Sequence, residues 1–147
     1  MRVYDKRQKP TSCLVRKYQE HDSLVVSVNA QRYGNKMIIS GCNNGDLRFW
    51  DLSKSQSVSC LKAVPAMYIC ESHPHAPLLA CCGLNSQSIK IYNVSNNASL
   101  NPIQYHTGFM GQKIDKTKCL AFHPNRLWLA VSSNDMLLSS YTWEKRK

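Results

Sequence analysis

The sequence predicts an all-β protein built from repeated antiparallel sheets, on three observations. No segment keeps the i, i+3, i+4, i+7 apolar spacing of a helix over about ten residues. Asn44-Gly45 separates two alternating apolar runs, which is the strongest short-range signal for a β-hairpin. A strand pattern ending in an aromatic residue recurs about every 40–50 residues, a period typical of repeat proteins.

The composition indicates a globular protein in a reducing compartment. The chain has 147 residues, of which 43% are hydrophobic and 19% charged, too apolar for a disordered chain. No run approaches the roughly 18 apolar residues of a transmembrane helix, and the start of the chain does not resemble a signal peptide. The seven cysteines are odd in number and lack a C-x-x-C pair, which argues against a disulfide framework.

The charge balance of the chain is strongly positive. Nineteen Lys and Arg residues against nine Asp and Glu residues give a net charge of +10. Such an excess suits nucleic acid, an anionic lipid surface or an acidic protein. The basic residues are scattered and lack the interleaved aromatics of single-strand binders, so solvated strand ends and loops are the favoured interpretation and a nucleic-acid surface is the alternative.

The repeat is clearest around Trp50. An apolar strand, the Asn44-Gly45 turn and a second alternating strand end in Trp50-Asp51. Similar segments end at Tyr92 and Tyr141 further along the chain, and another ends at Tyr4, before the Trp50 segment. We therefore predict that these four aromatic residues end equivalent strands in successive units.

A second shared feature precedes the last two units. His73-Pro74 and His123-Pro124 each follow one apolar strand and precede another, over Leu78–Cys82 and Leu127–Val131. The order is therefore strand, His-Pro turn, strand, tight turn, strand, and then a fourth strand. The candidate fourth strands are Cys13–Tyr18, Val58–Val64 and Leu100–Tyr105.

This pattern resembles the WD40 repeat family, whose four-stranded blades surround a channel. The resemblance implies a β-propeller with an incomplete ring, in which residues 1–19 are the last two strands of one blade. Blades over residues 20–64 and 65–105 follow, and residues 106–147 form a final blade without its outer strand. We accordingly expect the missing strand to lie in sequence outside the chain, and the chain to be a fragment, a truncated gene product or part of an intermolecular assembly.

The same resemblance implies a hydrogen-bonded set in the first full blade. The family often carries a His–Ser–Asp–Trp set, here matched by His21, Ser40, Asn44 and Trp50. The chemistry is sound, because a buried indole N–H needs an acceptor and a serine can relay to a histidine. Asn44 replaces the usual Asp, so the charged end is lost. The turns of the next two blades depart further, and we expect packing alone to hold them.

A more specific resemblance is to the C-terminus of the raptor family, scaffold subunits of TOR complex 1. It rests on residues 105–113, Cys119–Pro124 and the end at Trp143–Arg146. It implies a non-enzymatic interaction scaffold in TOR signalling and nutrient-responsive growth regulation, without cofactors. TOR kinase complex subunits and Rag GTPases are the implied partners, in the cytoplasm and, through the complex, at the lysosomal surface.

One loop is a candidate for contacting partners. It carries two apolar side chains between glycines, as Gly108, Phe109, Met110, Gly111 and Gln112. Apolar side chains on a loop held by a rigid scaffold can anchor a partner. The equal alternative is that Phe109 or Met110 folds back over its blade as a plug.

Other functions find less support. An unrelated nuclear or RNA-associated WD40 adaptor is the alternative that the positive charge favours. His21 and Ser40 could act as base and nucleophile, but there is no G-x-S-x-G elbow and no paired carboxylate. His73-x-His75 has no third metal ligand near it. Hence no catalytic residue, metal or cofactor is predicted.

Overall fold

The fold is all-β, as the sequence predicts. A computed structural model describes residues 1–32, 37–104 and 116–143, with only the backbone of Met37. Within these ranges every element is a strand, and every strand pairing is antiparallel.

The strands form four sheets in chain order. The first sheet contains β1 (Arg2–Tyr4) and β2 (Leu14–Lys17). The second contains β3 (Val25–Gln31), β4 (Met37–Cys42), β5 (Asp46–Asp51) and β6 (Ser57–Lys62). The third contains β7 (Met67–Ser72), β8 (Leu78–Gly83), β9 (Ser88–Asn93), β10 (Ala98–Ser99) and β11 (Ile103–Gln104). The fourth contains β12 (Thr117–Phe122), β13 (Trp128–Ser133) and β14 (Leu138–Thr142).

The outer strand of the third sheet is interrupted. The sequence predicts one strand over Leu100–Tyr105, whereas β10 and β11 pair separately with β9. Pro102 lies between them and has no N–H to donate to a ladder, which explains the break. The backbone N–H of Leu100 still donates to the Ile91 carbonyl at 2.8 Å, so the two pieces stay on the same edge.

Strand β8 lies between two hydrophobic cores. Leu79 and Cys81 belong to a core with Ile39 and Phe49 of the second sheet. Their neighbours Ala80 and Cys82 face a second core, which includes Leu129 of the fourth sheet. This alternation is the period of two of a strand buried on both faces, and it places the adjacent cysteines in different cores.

The sheets follow one another in an open series. The first strand of the third sheet, β7, contacts β3 of the second sheet on one side and β12 of the fourth on the other. The first strands of three successive sheets are therefore neighbours, as expected for sheets fanned about an axis. Within the described residues the sheets do not close into a ring.

Candidate functional site

A buried hydrogen-bond relay joins the linker before β3 to strands β4 and β5. The indole N–H of Trp50 donates to Ser40 Oγ at 2.7 Å, and Ser40 Oγ lies 2.6 Å from Nε2 of His21. Ser40 is completely buried. The relay satisfies the indole and ties the linker to the sheet, so both serine and histidine already have structural partners.

The surroundings of His21 disfavour its charged form. Burial lowers the pKa of its imidazole below the ordinary 6.5, and the positive charge of Arg48 lowers it further. Among the described residues, Nδ1 of the same ring has no hydrogen-bond partner. An unpartnered, buried ring nitrogen makes a second proton costly.

Asn44 stands apart from this relay, which corrects the predicted four-residue set. Its Oδ1 accepts from Cys42 Sγ at 2.6 Å and from the backbone N–H of Asp46 at 3.0 Å. Its Nδ2 donates to Asp46 Oδ2 at 2.9 Å. A short side chain in a tight turn bonds most easily to its own turn, so Asn44 stabilises the hairpin and does not reach His21.

A carboxylate that the sequence analysis missed holds the same linker. Glu20 Oε2 accepts from Arg48 Nη1 at 2.6 Å and from Ser57 Oγ at 2.6 Å, and Oε1 accepts from the Ser57 backbone N–H at 3.0 Å. The Ser57 hydroxyl and the charge of Arg48 lower the pKa of Glu20, against the opposing effect of burial. The opposite charges of Glu20 and Arg48, next to the predicted set, were the signal available in the sequence.

The strand-end aromatic residues occupy different surroundings. Trp50 packs on Tyr18, with ring centroids 4.7 Å apart, and Tyr92 donates its hydroxyl to the Ala63 carbonyl at 3.1 Å. Both therefore contact the linker before their own sheet. Tyr141 is half-buried against the second core. Tyr4 is 54% exposed, because the described residues place no sheet over its ring.

The turns of the third and fourth sheets are held by hydrogen bonds, so the expectation that packing alone holds them is wrong. Ser86 Oγ donates to the Ser88 carbonyl at 2.9 Å and accepts from the Ser88 N–H at 3.2 Å. Ser133 Oγ donates to the carboxylate of Asp135. Short hydroxyl and carboxylate side chains supply these bonds wherever the turn geometry brings them close.

The His73-Pro74 turn connects the third sheet to the fourth. His73 Nδ1 accepts from the backbone N–H groups of His75 and Ala76 at 3.1 and 2.9 Å. Its Nε2 must therefore carry the hydrogen, and it donates to the Arg126 carbonyl at 3.1 Å. One buried imidazole thus shapes its own turn and bonds to the corresponding turn of the fourth sheet.

The candidate loop, metal ligands and membrane-spanning helices are considered against the residues that the structure describes. The candidate loop residues Gly108, Phe109, Met110, Gly111 and Gln112 lie outside the described residues. Across residues 1–32, 37–104 and 116–143, no three His, Cys, Asp or Glu side chains gather as metal ligands. The same ranges contain no helix of the length and hydrophobicity needed to cross a membrane.

Comparison with known proteins decides the family. The model of the WD domain, G-beta repeat, matches residues 12–51 and 106–141, about half of the chain. The chain belongs to the WD40 repeat family. The predicted propeller class is thereby confirmed, and the four-stranded sheets are WD40 blades.

The WD40 chain is also similar to raptor proteins over its whole length. It is 31% identical to the protein raptor homolog of Dictyostelium discoideum, over 99% of this chain and 10% of the relative. It is 31% identical to target of rapamycin complex 1 subunit mip1 of Schizosaccharomyces pombe, over 100% of the chain and 11% of the relative. The chain thus spans about a tenth of the length of these relatives.

Solved structures agree with this similarity. The crystal structure of Chaetomium thermophilum Raptor matches 98% of this WD40 chain with a TM-score of 0.84 and 26% identity, although the match covers only 14% of that chain. A chain in a crystal structure of the mitotic checkpoint complex matches with a TM-score of 0.75 and 18% identity, covering 96% of this chain and 41% of that one. The second likeness concerns the fold alone, whereas the predicted resemblance to raptor is confirmed.

Proposed function

We propose that this WD40 chain is part of a non-enzymatic protein–protein interaction scaffold that acts in TOR complex 1. The observation that carries the proposal is its similarity to raptor homologues across essentially the whole chain, including a relative described as a subunit of target of rapamycin complex 1. By this likeness, its role lies in TOR signalling and nutrient-responsive growth regulation.

The burial of Ser40, the nucleophile considered from the sequence, supports a non-enzymatic role. Ser40 has no exposed surface, and its hydroxyl oxygen is engaged by both Trp50 and His21. A nucleophilic serine must reach a substrate carbonyl with its base free to accept a proton. Here the same groups join a linker to a sheet, which is the task of a scaffold.

The blade hydrogen bonds also support the proposed division of the chain. Residues 20–64 and 65–105 would each form one blade, residues 1–19 would end a preceding blade and residues 106–147 would belong to the next. In this division His21, Ser40 and Trp50 are structural residues that seat the linker of the first blade. The loop at Gly108–Gln112 remains a proposed partner contact.

The partners follow from the proposed complex. TOR kinase complex subunits and Rag GTPases are the proposed protein partners, with cytoplasmic location and recruitment to the lysosomal surface through the complex. The net charge of +10 favours a second candidate, an adaptor in a nuclear or RNA-associated complex. The two candidates differ in what should be bound in cells and in how binding responds to salt.

Affinity purification from cells tests the proposal. The protein would be tagged at its own locus and purified, with an equally tagged unrelated WD40 protein as the control. We expect the TOR kinase to co-purify with the tagged protein, in amounts that nuclease treatment leaves unchanged. The proposal would be overturned in favour of the second candidate if RNA-binding or chromatin proteins co-purified and the TOR kinase did not. Those proteins should then be lost after nuclease treatment.

A further inference from the structure

A cavity of about 310 Å³ lies between the linker that precedes β7 and strand β9. Val64, Pro65 and Ala66 of the linker supply its apolar wall. Asn85 and Ser86 from the turn after β8 and Lys90 from β9 complete the lining, so the one charge at this pocket is positive. The pocket therefore combines an aliphatic wall with a single cation.

The wall of this pocket is rigid. The N–H of Ala63 donates to the Gly45 carbonyl and the N–H of Leu84 donates to the Ala66 carbonyl, both at 2.8 Å. A Cβ atom added to Gly45 would lie 2.3 Å from the Val64 carbonyl oxygen, so the linker packs directly on the preceding hairpin. A linker bonded on both sides holds its shape when a ligand binds, which lowers the entropic cost of binding.

Ala66 adds a sign of constraint at the same place. Its φ of 49° lies in the left-handed region, which a residue with a Cβ seldom adopts. Such a conformation persists where surrounding contacts impose it, and it is frequent at sites that bind ligands. Here the contacts are the hydrogen bonds and close packing of the linker.

In the preceding blade, the basic residue at the equivalent strand position is already paired with a carboxylate. Arg48 is the third residue of β5, as Lys90 is the third residue of β9. Glu20, from the linker before β3, binds Arg48 at 2.6 Å. In the next blade the linker supplies Val64 and Pro65 beside the cation, and Lys90 forms no ion pair with any residue that the structure describes.

We propose that the Val64–Ala66 pocket binds a carboxylate side chain from an acidic segment of a partner protein, through Lys90. The ligand would take the part that Glu20 plays toward Arg48 in the preceding blade. The net charge of +10 favours approach of such a segment. This inference deepens the proposed scaffold function and depends on it for the presence of a partner.

A binding assay with a defined acidic peptide tests the inference. The probe is a short fluorescein-labelled peptide of alternating Glu and Ala, and the matching peptide of Gln and Ala is the uncharged control. Fluorescence anisotropy with the purified full-length protein measures both. We expect the Glu peptide to bind, and the Gln peptide, which lacks every carboxylate, to bind at least about tenfold more weakly.

Three variants locate the binding on the molecule. Lys90→Met should weaken binding of the Glu peptide about tenfold, whereas Lys90→Arg should retain that binding. Lys118→Met removes the same charge from an exposed position on β12, outside the pocket lining, and should leave binding unchanged. Asn85→Asp changes an exposed rim residue, so it leaves the core intact, and its new charge should also weaken the Glu peptide.

The outcomes separate this inference from the proposed function. If the wild-type protein does not bind the Glu peptide, or if Lys90→Met and Lys118→Met weaken it equally, the pocket is not the site and the inference is wrong. Co-purification of the TOR kinase with the wild-type protein tests the scaffold function independently of the peptide. Peptide binding through Lys90 without the kinase would instead overturn the proposed function alone.

Discussion

Ser40 shows how much of this blade depends on one hydroxyl. It accepts from the buried Trp50 indole and contacts His21, and no solvent reaches it. Removal of the hydroxyl would leave the indole N–H without a partner in an apolar interior, which costs more than the bond itself contributes.

The first prediction therefore concerns Ser40→Ala. We expect it to lower the free energy of unfolding by about 1–3 kcal/mol, the usual cost of a buried polar group left unpaired. Urea unfolding followed by tryptophan fluorescence measures the change. Ser55→Ala, at an exposed position, is the control, and equal stability of the two variants would show that the relay contributes nothing.

The second prediction concerns pH and His21. Its pKa is lowered in the folded protein by burial and by Arg48, so the unfolded chain binds this proton more readily. Stability from His21 is therefore complete above its ordinary pKa of 6.5 and decreases as the pH falls through and below that value.

Comparison of the wild-type protein with His21→Gln isolates this effect from other titrating groups. The free energy of unfolding should decrease between about pH 7.5 and about pH 5.5, and the decrease should be larger in the wild-type protein than in the variant. The same pH dependence in both proteins would exclude His21 as its source.

At the level of elements, the linkers between sheets are bonded firmly to the strands and turns beside them. The linker before β3 is joined to β4, β5 and β6 through His21 and Glu20, and the linker before β7 is joined to two turns by backbone bonds. In both blades a carbonyl of the linker, Leu24 or Ala66, also accepts from the N–H of a turn, and side chains add further contacts to the linker.

The third prediction tests the Glu20 contact. Glu20→Gln should lower the free energy of unfolding by about 1 kcal/mol, because a partly exposed carboxylate loses its charge beside Arg48 and Ser57. A double-mutant cycle with Arg48→Met measures the coupling of the pair. Asp22→Asn, at an exposed neighbouring position, controls for loss of charge, and a coupling near zero would contradict the assignment.

At the scale of the whole molecule, side chains bond the second sheet to the third and the third sheet to the fourth within the described residues. The side chain of Gln31, at the end of β3, donates to the Ala76 carbonyl at 3.1 Å. His73, directly after β7, donates to the Arg126 carbonyl. Both bonds run in the same direction along the chain, from one sheet to the turn of the following sheet.

The fourth prediction tests the second of these connections. His73→Ala removes a buried imidazole that makes three hydrogen bonds, and we expect a loss of about 2–3 kcal/mol in the free energy of unfolding. Hydrogen exchange should also become faster at the turn containing Arg126. His75→Ala, two residues away, keeps its backbone N–H and should behave as the wild type; exchange unchanged at Arg126 in His73→Ala would refute the connection.

The sequence by itself determined the all-β class, the repeat and the resemblance to raptor. Periodicity of two, the Asn44-Gly45 turn and recurring aromatic residues are local signals, and they report directly on strand and hairpin formation. The break at Pro102 could also have been predicted, because a missing N–H is a property of the residue alone.

Only the tertiary structure decided which polar groups meet. Glu20 lies 28 residues from Arg48, and His73 lies 53 residues from Arg126, so neither contact follows from local spacing. Arg48 has a carboxylate partner, whereas Lys90 lines a pocket. This difference also depends on the path of the linker beside each cation. Partners distant in sequence are brought together by sheet packing, and short-range patterns do not encode which distant groups will meet.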